Sequence, residues 1–555
     1  MHHFCDNFGR IVYHIFMEKK KLLITINTKG KVVSLQAPKG RRLQGLLDDA
    51  EIDFSYPCGG LGRCGKCKVR FISGAPTPNS LDKSFLTDKE LQDGVRLLCR
   101  CVLDCDAEID LGDYGNIEEE IEVSKPTPKT NPQRRLKRDE IVSWGICIDI
   151  GTTTLEAMLV GVNADKKREI FEVVSGVNHQ RRYGADVISR IAAAGEGHAE
   201  DLQKCIQNDL AEMICGLTRG NEVPKLDYIC IEGNTTMLHL LRGYDISGLG
   251  EYPYNTVSLE AERISAEELF DLTDRKDIIE VLSGTKVILV PGISAFVGAD
   301  IVSGLFSIDI THHEYSLLFL DLGTNGEMAF WDGEKLFVTS TAVGPVFEAG
   351  GISCGTAAIP GAISRVNIEM DGEDPQVKVE TIRDKEPIGI CGTGVLEAVS
   401  ELVRNKIVDE TGLLTDKYFE DGFPLTGGEK PVRITQSDIR AVQLGKAALI
   451  AAQKELLQGR KPKFVEVSGG YGIGFMPDKI RHLGLFLTDE KYVRPAANAA
   501  LAGCFYLLVD FLEDPKKGEK SLEELSEMAT SAQVVELVNK QGFAENYVES
   551  MNFDI

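Results

Sequence analysis

Apolar positions recur along this chain in two different rhythms. Leu22 to Thr28 and Lys31 to Ala37 alternate apolar and polar residues about Lys29-Gly30, which predicts a β-hairpin with one face toward a core. Leu43 to Ala50 shifts to helical spacing. Lys68 to Ile72 returns to a strand, Thr87 to Gln92 predicts a short helix, and Arg96 to Cys99 leads into a further strand. From Trp144 the rhythm changes. Short apolar runs at Gly145 to Ile150, Tyr228 to Ile231, Leu317 to Leu322, Ile388 to Ile390 and Val465 to Val467 predict strands. Helical stretches lie between them, the longest being Asp438 to Leu457. Strands alternating with helices predict an α/β fold.

The two rhythms are separated by a segment that has neither. Asp113 to Glu140 carries Glu118-Glu119-Glu120, then Pro126, Pro128 and Pro132, then Arg134-Arg135-Leu136-Lys137-Arg138. Low hydrophobicity, prolines and charge blocks mark a solvated linker. At the start, residues 1–16 contain His2, His3, Asp6, Asn7 and Arg10 and no apolar core of a signal peptide. Met17 opens Met-Glu-Lys-Lys-Lys just ahead of the first strand. The expected organisation is therefore an extension without function at 1–16, an N-terminal domain at 17–112, a linker at 113–142, and two halves of a larger domain at 143–312 and 313–555.

Composition narrows the function. The 555 residues are 43% hydrophobic and 26% charged, which is ordinary for a globular protein, and the formal net charge is −24. That charge argues against nucleic acid or an anionic membrane as partner. The longest apolar candidate for a membrane span, Val287 to Val302, is broken by Pro291, Gly292, Gly298 and Asp300. Fourteen cysteines are too sparse for a disulfide scaffold, and most lie singly in apolar runs, as expected in a reducing cytoplasm.

Four cysteines stand apart. Cys58-Gly59-Gly60-Leu61-Gly62-Arg63-Cys64-Gly65-Lys66-Cys67 followed by Cys99 has the spacing of a [2Fe–2S] binding loop. An iron–sulfur cluster needs four thiolates, and the loop glycines let backbone N–H groups face the sulfides. Zinc is the alternative, but it is usually held by two C-x2-C pairs, and only Cys64 and Cys67 form one here. Cys58, Cys64, Cys67 and Cys99 are the expected ligands, with Cys101 as the substitute for Cys99 and Cys105 as a bystander. Two β segments, a helix, this loop and further β structure give the order of a ferredoxin-like β-grasp domain.

The larger domain repeats one motif. Asp149-Ile150-Gly151-Thr152-Thr153-Thr154 closes one apolar strand, and Asp321-Leu322-Gly323-Thr324-Asn325-Gly326-Glu327 closes another. Glycine lets backbone amides approach a phosphate, the hydroxyls donate hydrogen bonds, and the aspartate can hold Mg²⁺ through water. Two copies at the ends of strands predict a duplicated nucleotide-binding fold. Gly184-Ala185-Asp186 and Gly298-Ala299-Asp300 also echo each other, and their aspartates are open to two roles, cation binding or helix capping. Gly233-Asn234-Thr235-Thr236 and Gly392-Thr393-Gly394 are candidate phosphate turns. Ser468-Gly469-Gly470 suits close approach of an adenosine. Lys446 is expected to be solvated, and Asn498 to begin a helix of small residues that packs closely.

The order of these motifs resembles the reductive activators of corrinoid proteins, which join a [2Fe–2S] ferredoxin to an actin-like ATPase of the ASKHA superfamily. The markers are the four cysteines, Arg182 to Arg190, Gly233 to Leu238, Asp321 to Glu327, Gly344-Pro345-Val346-Phe347-Glu348 and Ser353-Cys354-Gly355. The resemblance implies a multidomain α+β and α/β protein that reduces an inactive Co(II) corrinoid protein to Co(I) at the expense of ATP. Its implied cofactors are the cluster, ATP and Mg²⁺. Its implied partners are a corrinoid protein of a methyltransferase system and an electron donor, with a homodimer left open. Asp149 and Asp321 would position Mg²⁺, and one of them or Glu327 would orient the attacking water. Gly151, Thr152, Thr153, Gly323, Thr324 and Asn325 would cradle phosphates, Gly469 and Gly470 the adenosine. Ser353 is a candidate for touching the corrinoid. The extra middle domain of some relatives is expected to be absent, since only a linker precedes Val142. The chain has no D-x-H-x-x-G cobalamin motif, so the corrinoid would belong to the partner. Rival readings are an activator of 2-hydroxyacyl-CoA dehydratases or benzoyl-CoA-type reductases, a nucleotide-gated redox sensor, and a small-molecule kinase.

Overall fold

The computed structural model describes residues 21–28, 31–50, 52, 54, 67–111, 136–272, 275, 278–372, 374–469, 476–496 and 498–553. The chain divides into two compact units, one of residues 1–119 with 179–202 and the other of 120–178 with 203–555.

In the first unit, β1 (Lys21–Thr28) and β2 (Lys31–Pro38) form the expected hairpin, with Ile24 opposite Leu35. Helix α1 (Leu43–Asp49) follows, then β3 (Lys68–Ser73), β4 (Val95–Leu97) and β5 (Ala107–Asp110). The sheet order is β2-β1-β5-β3-β4, with β1 and β5 parallel and the other pairs antiparallel. A central parallel pair flanked by hairpins, with a helix packed on one face, is the β-grasp arrangement that the alternation predicted. Ile24, Ile26, Leu43, Leu47, Val69, Leu97 and Ile109 fill its core, and Cys67 and Cys99 are buried in the same cluster. Within this unit Asp186 caps α2 (Val187–Ala193), its carboxylate accepting from the Ser189 amide at 2.7 Å.

The second unit contains two six-stranded sheets of matching plan. In the first, β6 (Ile141–Ile150), β7 (Thr154–Asn163) and β8 (Arg168–Val177) form an antiparallel meander, and β9 (Tyr228–Gly233) and β11 (Lys286–Leu289) extend it in parallel. In the second, β12 (Leu317–Leu322), β13 (Gly326–Trp331) and β14 (Leu336–Thr341) form the meander, and β20 (Phe464–Ser468) and β21 (Val493–Pro495) extend it. The orders β8-β7-β6-β9-β11 and β14-β13-β12-β20-β21 superpose the duplication seen in the sequence on the topology. The sheets differ at their edges. Antiparallel β10 (Glu262–Ser265) borders the first beside β11, and β22 (Gln533–Val534) borders the second beside β14.

The halves meet through helices. α5 (Ala299–Ser307) and α8 (Ala499–Glu513) follow β11 and β21 and pack between the sheets, in one core with Cys147, Met158 and Cys230 of the first sheet and Phe319 and Ala329 of the second. They cross so closely that a side chain at Gly503 would overlap the Ser303 carbonyl. This bears out the close packing expected of the helix that Asn498 begins. On the outer face of the second sheet, α6 (Gly392–Arg404) and α7 (Gln436–Leu457) cover Leu318, Leu320 and Phe330. A hairpin of β15 (Ala362–Asp371) and β16 (Asp374–Thr381), which the sequence reading did not anticipate, pairs with β17 (Gly389–Ile390) beside them. One expectation is corrected here. Lys446 on α7 is buried rather than solvated: its ammonium donates to the Asn552 carbonyl and sits 5.6 Å from the Phe553 ring centre, which ties the C-terminal segment to the helix. Among the described residues no helix is long and apolar enough to cross a membrane.

Candidate active site

The two central strands carry the site. β6 is apolar through Ile146, Cys147 and Ile148, so it sits in the middle of its sheet, and Asp149 near its end is the first polar group. Register places Asp149 opposite Glu156 on β7 and Glu232 on β9. In the second half Asp321 lies opposite Glu327 on β13 and Ser468 on β20. The parallel neighbours then both end in glycine. At Gly233 a Cβ would come within 2.8 Å of the Ile150 carbonyl. At Gly469, with φ +113°, it would overlap the Leu322 carbonyl. These close approaches bring the turn after each central strand against its neighbour.

A cleft of about 250 Å³ opens where the strand ends converge. Its lining contains Asp149, Gly151, Thr152, Thr153, Asp321, Gly323, Thr324, Asn325, Glu327 and Gly469, so the structure brings these sequence-predicted residues together. Thr154, Glu156, Asn234, Asp300, Glu348, Ala358, Asn498 and Ala500 complete it. Gly470, Cys58 and Cys64 lie outside the described residues. Ser353 does not line this cleft. It is exposed, and its amide and hydroxyl both donate to Asp438, at 2.7 and 2.6 Å.

Local hydrogen bonds shape the loops. The buried Asn178 donates to the Gly151 carbonyl at 2.9 Å. Asn234 caps α4 (Thr235–Arg242) by accepting from the Met237 amide, and donates to the Thr152 hydroxyl at 3.1 Å. Gly323 closes its turn by donating to the Asn325 carbonyl at 3.0 Å, and Thr324 donates to Glu348 at 2.9 Å. Asn498 caps α8 and donates to both Asp149, at 3.0 Å, and Glu156, at 2.6 Å.

The cleft is acidic throughout, and no lysine, arginine or histidine is among its described lining residues. Enclosure therefore raises its carboxyls. Burial, then the Asp149 charge, pushes Glu156 up to about 8. Burial, then Asp321, pushes Asp300 up to about 7. Asp321 rises to about 6, with burial opposed by a hydrogen bond from Ser468. Burial drives Glu327 and the fully enclosed Glu232 well above the carboxylate range, and Asp149 also upward. Acids held this close without a basic neighbour favour a cation or retained protons. The donor set, carboxylates with hydroxyls and amides, is one that suits Mg²⁺ carried in on phosphates.

Asp300 is not a cap, since Gly298 holds that position, and it lines the cleft, whereas its echo Asp186 is an N-cap. Glu156, Glu348 and the donor role of Asn498 were missed. A signal for Glu156 was present: it follows Asp149 across the turn as Glu327 follows Asp321, one residue further along.

In the ferredoxin unit the Cys67 and Cys99 sulfurs lie 3.2 Å apart, close enough to share one tetrahedral iron. Contact with Cys99 brings the Cys67 thiol down to about 7. Burial and the nearby Asp82 charge drive the Cys101 thiol far upward, and it is Cys99 whose sulfur meets Cys67. The described half of the expected ligand set therefore fits the cluster.

Comparison with known proteins identifies the domains that carry these residues. A 2Fe-2S iron-sulfur cluster binding domain matches residues 24–104, the RACo middle region matches 144–313, and the C-terminal ASKHA domain of RACo matches 315–554. A middle region is thus present, and it is the stretch read as the first half of the duplicated fold, which corrects the expectation that none exists. The corrinoid activation enzyme RamQ of Eubacterium limosum is 29% identical over 66% of this chain. The [Co(II) methylated amine-specific corrinoid protein] reductase of Methanosarcina barkeri is 25% identical over 65% of it. The matched stretch spans 64% of the first of these relatives' own length and 68% of the second's. A solved structure titled reductive activator for corrinoid, iron-sulfur protein shares the fold, with TM-score 0.64 and 24% identity over 96% of this chain and 98% of that one.

Proposed function

We infer that this chain, which belongs to the RACo family of ferredoxin-fused ASKHA proteins, is an ATP-dependent reductive activator of corrinoid proteins. It would return an inactive Co(II) partner of a methyltransferase system to Co(I). The observation that carries this reading is the cleft, where two Asp-x-Gly-Thr strand ends face each other across an acidic floor with no basic residue in its described lining. Such a site needs a cation and a polyphosphate to be electrostatically complete.

Within the cleft the backbone and hydroxyls of Gly151, Thr152, Thr153, Gly323, Thr324 and Asn325 hold the phosphate chain from both sides. Bound Mg²⁺ supplies the positive charge that the cleft lacks. Asp149 and Asp321 would hold it, and Glu327, whose carboxyl is buried beside Asp321, would align the attacking water. Gly469, at the turn that lines the cleft, would lie against adenosine. In the ferredoxin unit Cys67 and Cys99, together with Cys58 and Cys64, would hold a [2Fe–2S] cluster, which supplies one electron at a time. Nucleotide can drive an uphill reduction only by binding one arrangement of the two halves better than another.

The test is anaerobic. A Co(II) corrinoid protein, a reductant and catalytic amounts of this chain are mixed, and Co(I) absorption is followed with and without Mg·ATP. Growth of Co(I) that requires ATP is the expected result. Cys99→Ser should abolish it and the cluster spectrum together, whereas Cys101→Ser should leave both. ATP-independent Co(I) formation, or none with any corrinoid partner, would overturn the reading.

A further inference from the structure

Asn498 occupies a position with no counterpart in the other half. It is the N-cap of α8, its carbonyl oxygen accepting from the Leu501 amide at 2.9 Å. Both hydrogens of its amide nitrogen are also committed, one to Asp149 Oδ2 at 3.0 Å and one to Glu156 Oε2 at 2.6 Å. The corresponding helix α5 begins at Gly298, which has no side chain to offer, and Asp300 points its acid into the cleft instead.

The structure assigns Asn498 as a positioning residue that holds the Asp149–Glu156 acid pair in place for a divalent cation and ties that setting to the helix joining the two halves. The inference rests on the nucleotide reading of the cleft. Two acids facing each other across β6 and β7 repel when ionised, and the described cleft lining offers no cation to separate them. A neutral amide can donate to both without cancelling their charge, so the charge remains available to Mg²⁺. It occupies one oxygen of each acid, and the second oxygen of Glu156 accepts from the Ser175 hydroxyl at 3.5 Å, which fixes that side chain from both ends. Because α8 arrives from β21 of the second sheet and packs against β6, β7 and β9 of the first, any shift of that helix moves the donor shared by both acids. The amide thus reports the relative setting of the halves to the cation site.

Substitution can separate this role from helix capping. Serine caps a helix about as well as asparagine, yet one hydroxyl cannot serve two acids. In the full-length protein Asn498→Ser should melt within a few degrees of wild type. It should need roughly tenfold more Mg²⁺ for half-maximal ADP binding by calorimetry, a loss of the size expected for charge-assisted hydrogen bonds. kcat for ATP should fall with KM changed by less than about threefold, the signature of a lost transition-state interaction. Asn498→Asp, which also caps but adds a third acid, should be worse than serine on the Mg²⁺ measurement. Wild-type Mg²⁺ dependence in both variants would overturn the positioning role and leave the nucleotide reading intact. A large drop in Tm with KM and kcat impaired together would also overturn it, in favour of a structural role. Failure of the wild-type protein to bind Mg·ADP would overturn the nucleotide reading, and this inference with it.

Discussion

The two halves of the ASKHA fold share a frame and differ in the chemistry set into it. In each, an aspartate near the end of the central strand faces a glutamate across the antiparallel turn: Asp149 with Glu156, Asp321 with Glu327. In each, the parallel neighbour ends in a glycine pressed against the central strand. The position before that glycine is where they part. The second half has Ser468, whose hydroxyl bonds to Asp321 and limits the rise of its carboxyl to about 6. The first half has Glu232, a fully buried acid opposite Asp149. Burial, then the Asp149 charge, pushes Glu232 well above the carboxylate range, which favours its protonated form. One half therefore favours a charged aspartate, and the other favours a proton on the acid beside its aspartate.

The largest consequence concerns turnover. If Asp321 is the fully charged partner of the cation, Asp321→Asn should lower steady-state phosphate release by about a hundredfold or more, the usual cost of losing preorganised charge at a transferring phosphate. Asp149→Asn should cost less, on the order of tenfold, because Glu156 opposite it lines the same cleft and remains to hold the cation. Equal losses would erase the asymmetry. A smaller contrast lies in the glycines. Gly469→Ala adds a Cβ at φ +113° and against a carbonyl, so it should destabilise by about 2–3 kcal/mol. Gly233 meets the same crowding without the positive φ, and Gly233→Ala should cost nearer about 1 kcal/mol. Urea unfolding of the two variants measures the difference, and a reversed order would show that the second half relaxes where the first does not.

Much of this frame was legible in the sequence because it rests on local patterns. The hairpin about Lys29-Gly30, the runs ending at Asp149 and Asp321, and the glycine after Ser468 each announce themselves within a few residues. What stayed hidden depends on register and on contacts distant in the chain. Glu156 and Glu232 become part of the site only when β7 and β9 align with β6. Asn498 reaches Asp149 across most of the larger domain. Lys446 looked solvated because a lysine on a helix usually is, and only the returning C-terminal segment buries it. The Asp186–Asp300 echo was a true similarity of sequence with two different outcomes, since only the environment of each helix start decides whether a carboxylate caps or lines a cleft.

The smallest effect is in the pH dependence of stability, and it tests the proton on Glu232 directly. Unfolded carboxyls titrate near 4, whereas Asp321, Asp300 and Glu156 titrate at about 6, 7 and 8 in the fold. Between the two sets of values the folded state binds more protons, so unfolding releases them and stability must fall as pH rises from about 4 to about 8. The contribution of these groups is complete below that window and lost above it. Mg²⁺ should reverse the trend, since it needs the deprotonated acids, and should therefore raise Tm more at about pH 8 than at about pH 6. Glu232→Gln keeps the shape of the neutral acid but cannot ionise. It should leave Tm nearly unchanged near pH 5 and raise it by about 2 °C near pH 8, where an unfolded glutamate ionises freely and the buried one cannot. Ser468→Ala should do the opposite, since Asp321 loses its donor and titrates higher, so Tm near pH 8 should fall. Thermal unfolding at the two pH values gives the result. A Glu232→Gln protein less stable at both would mean that Glu232 works as an ionised strut, and the distinction between a half that favours a proton and one that favours a charge would be lost.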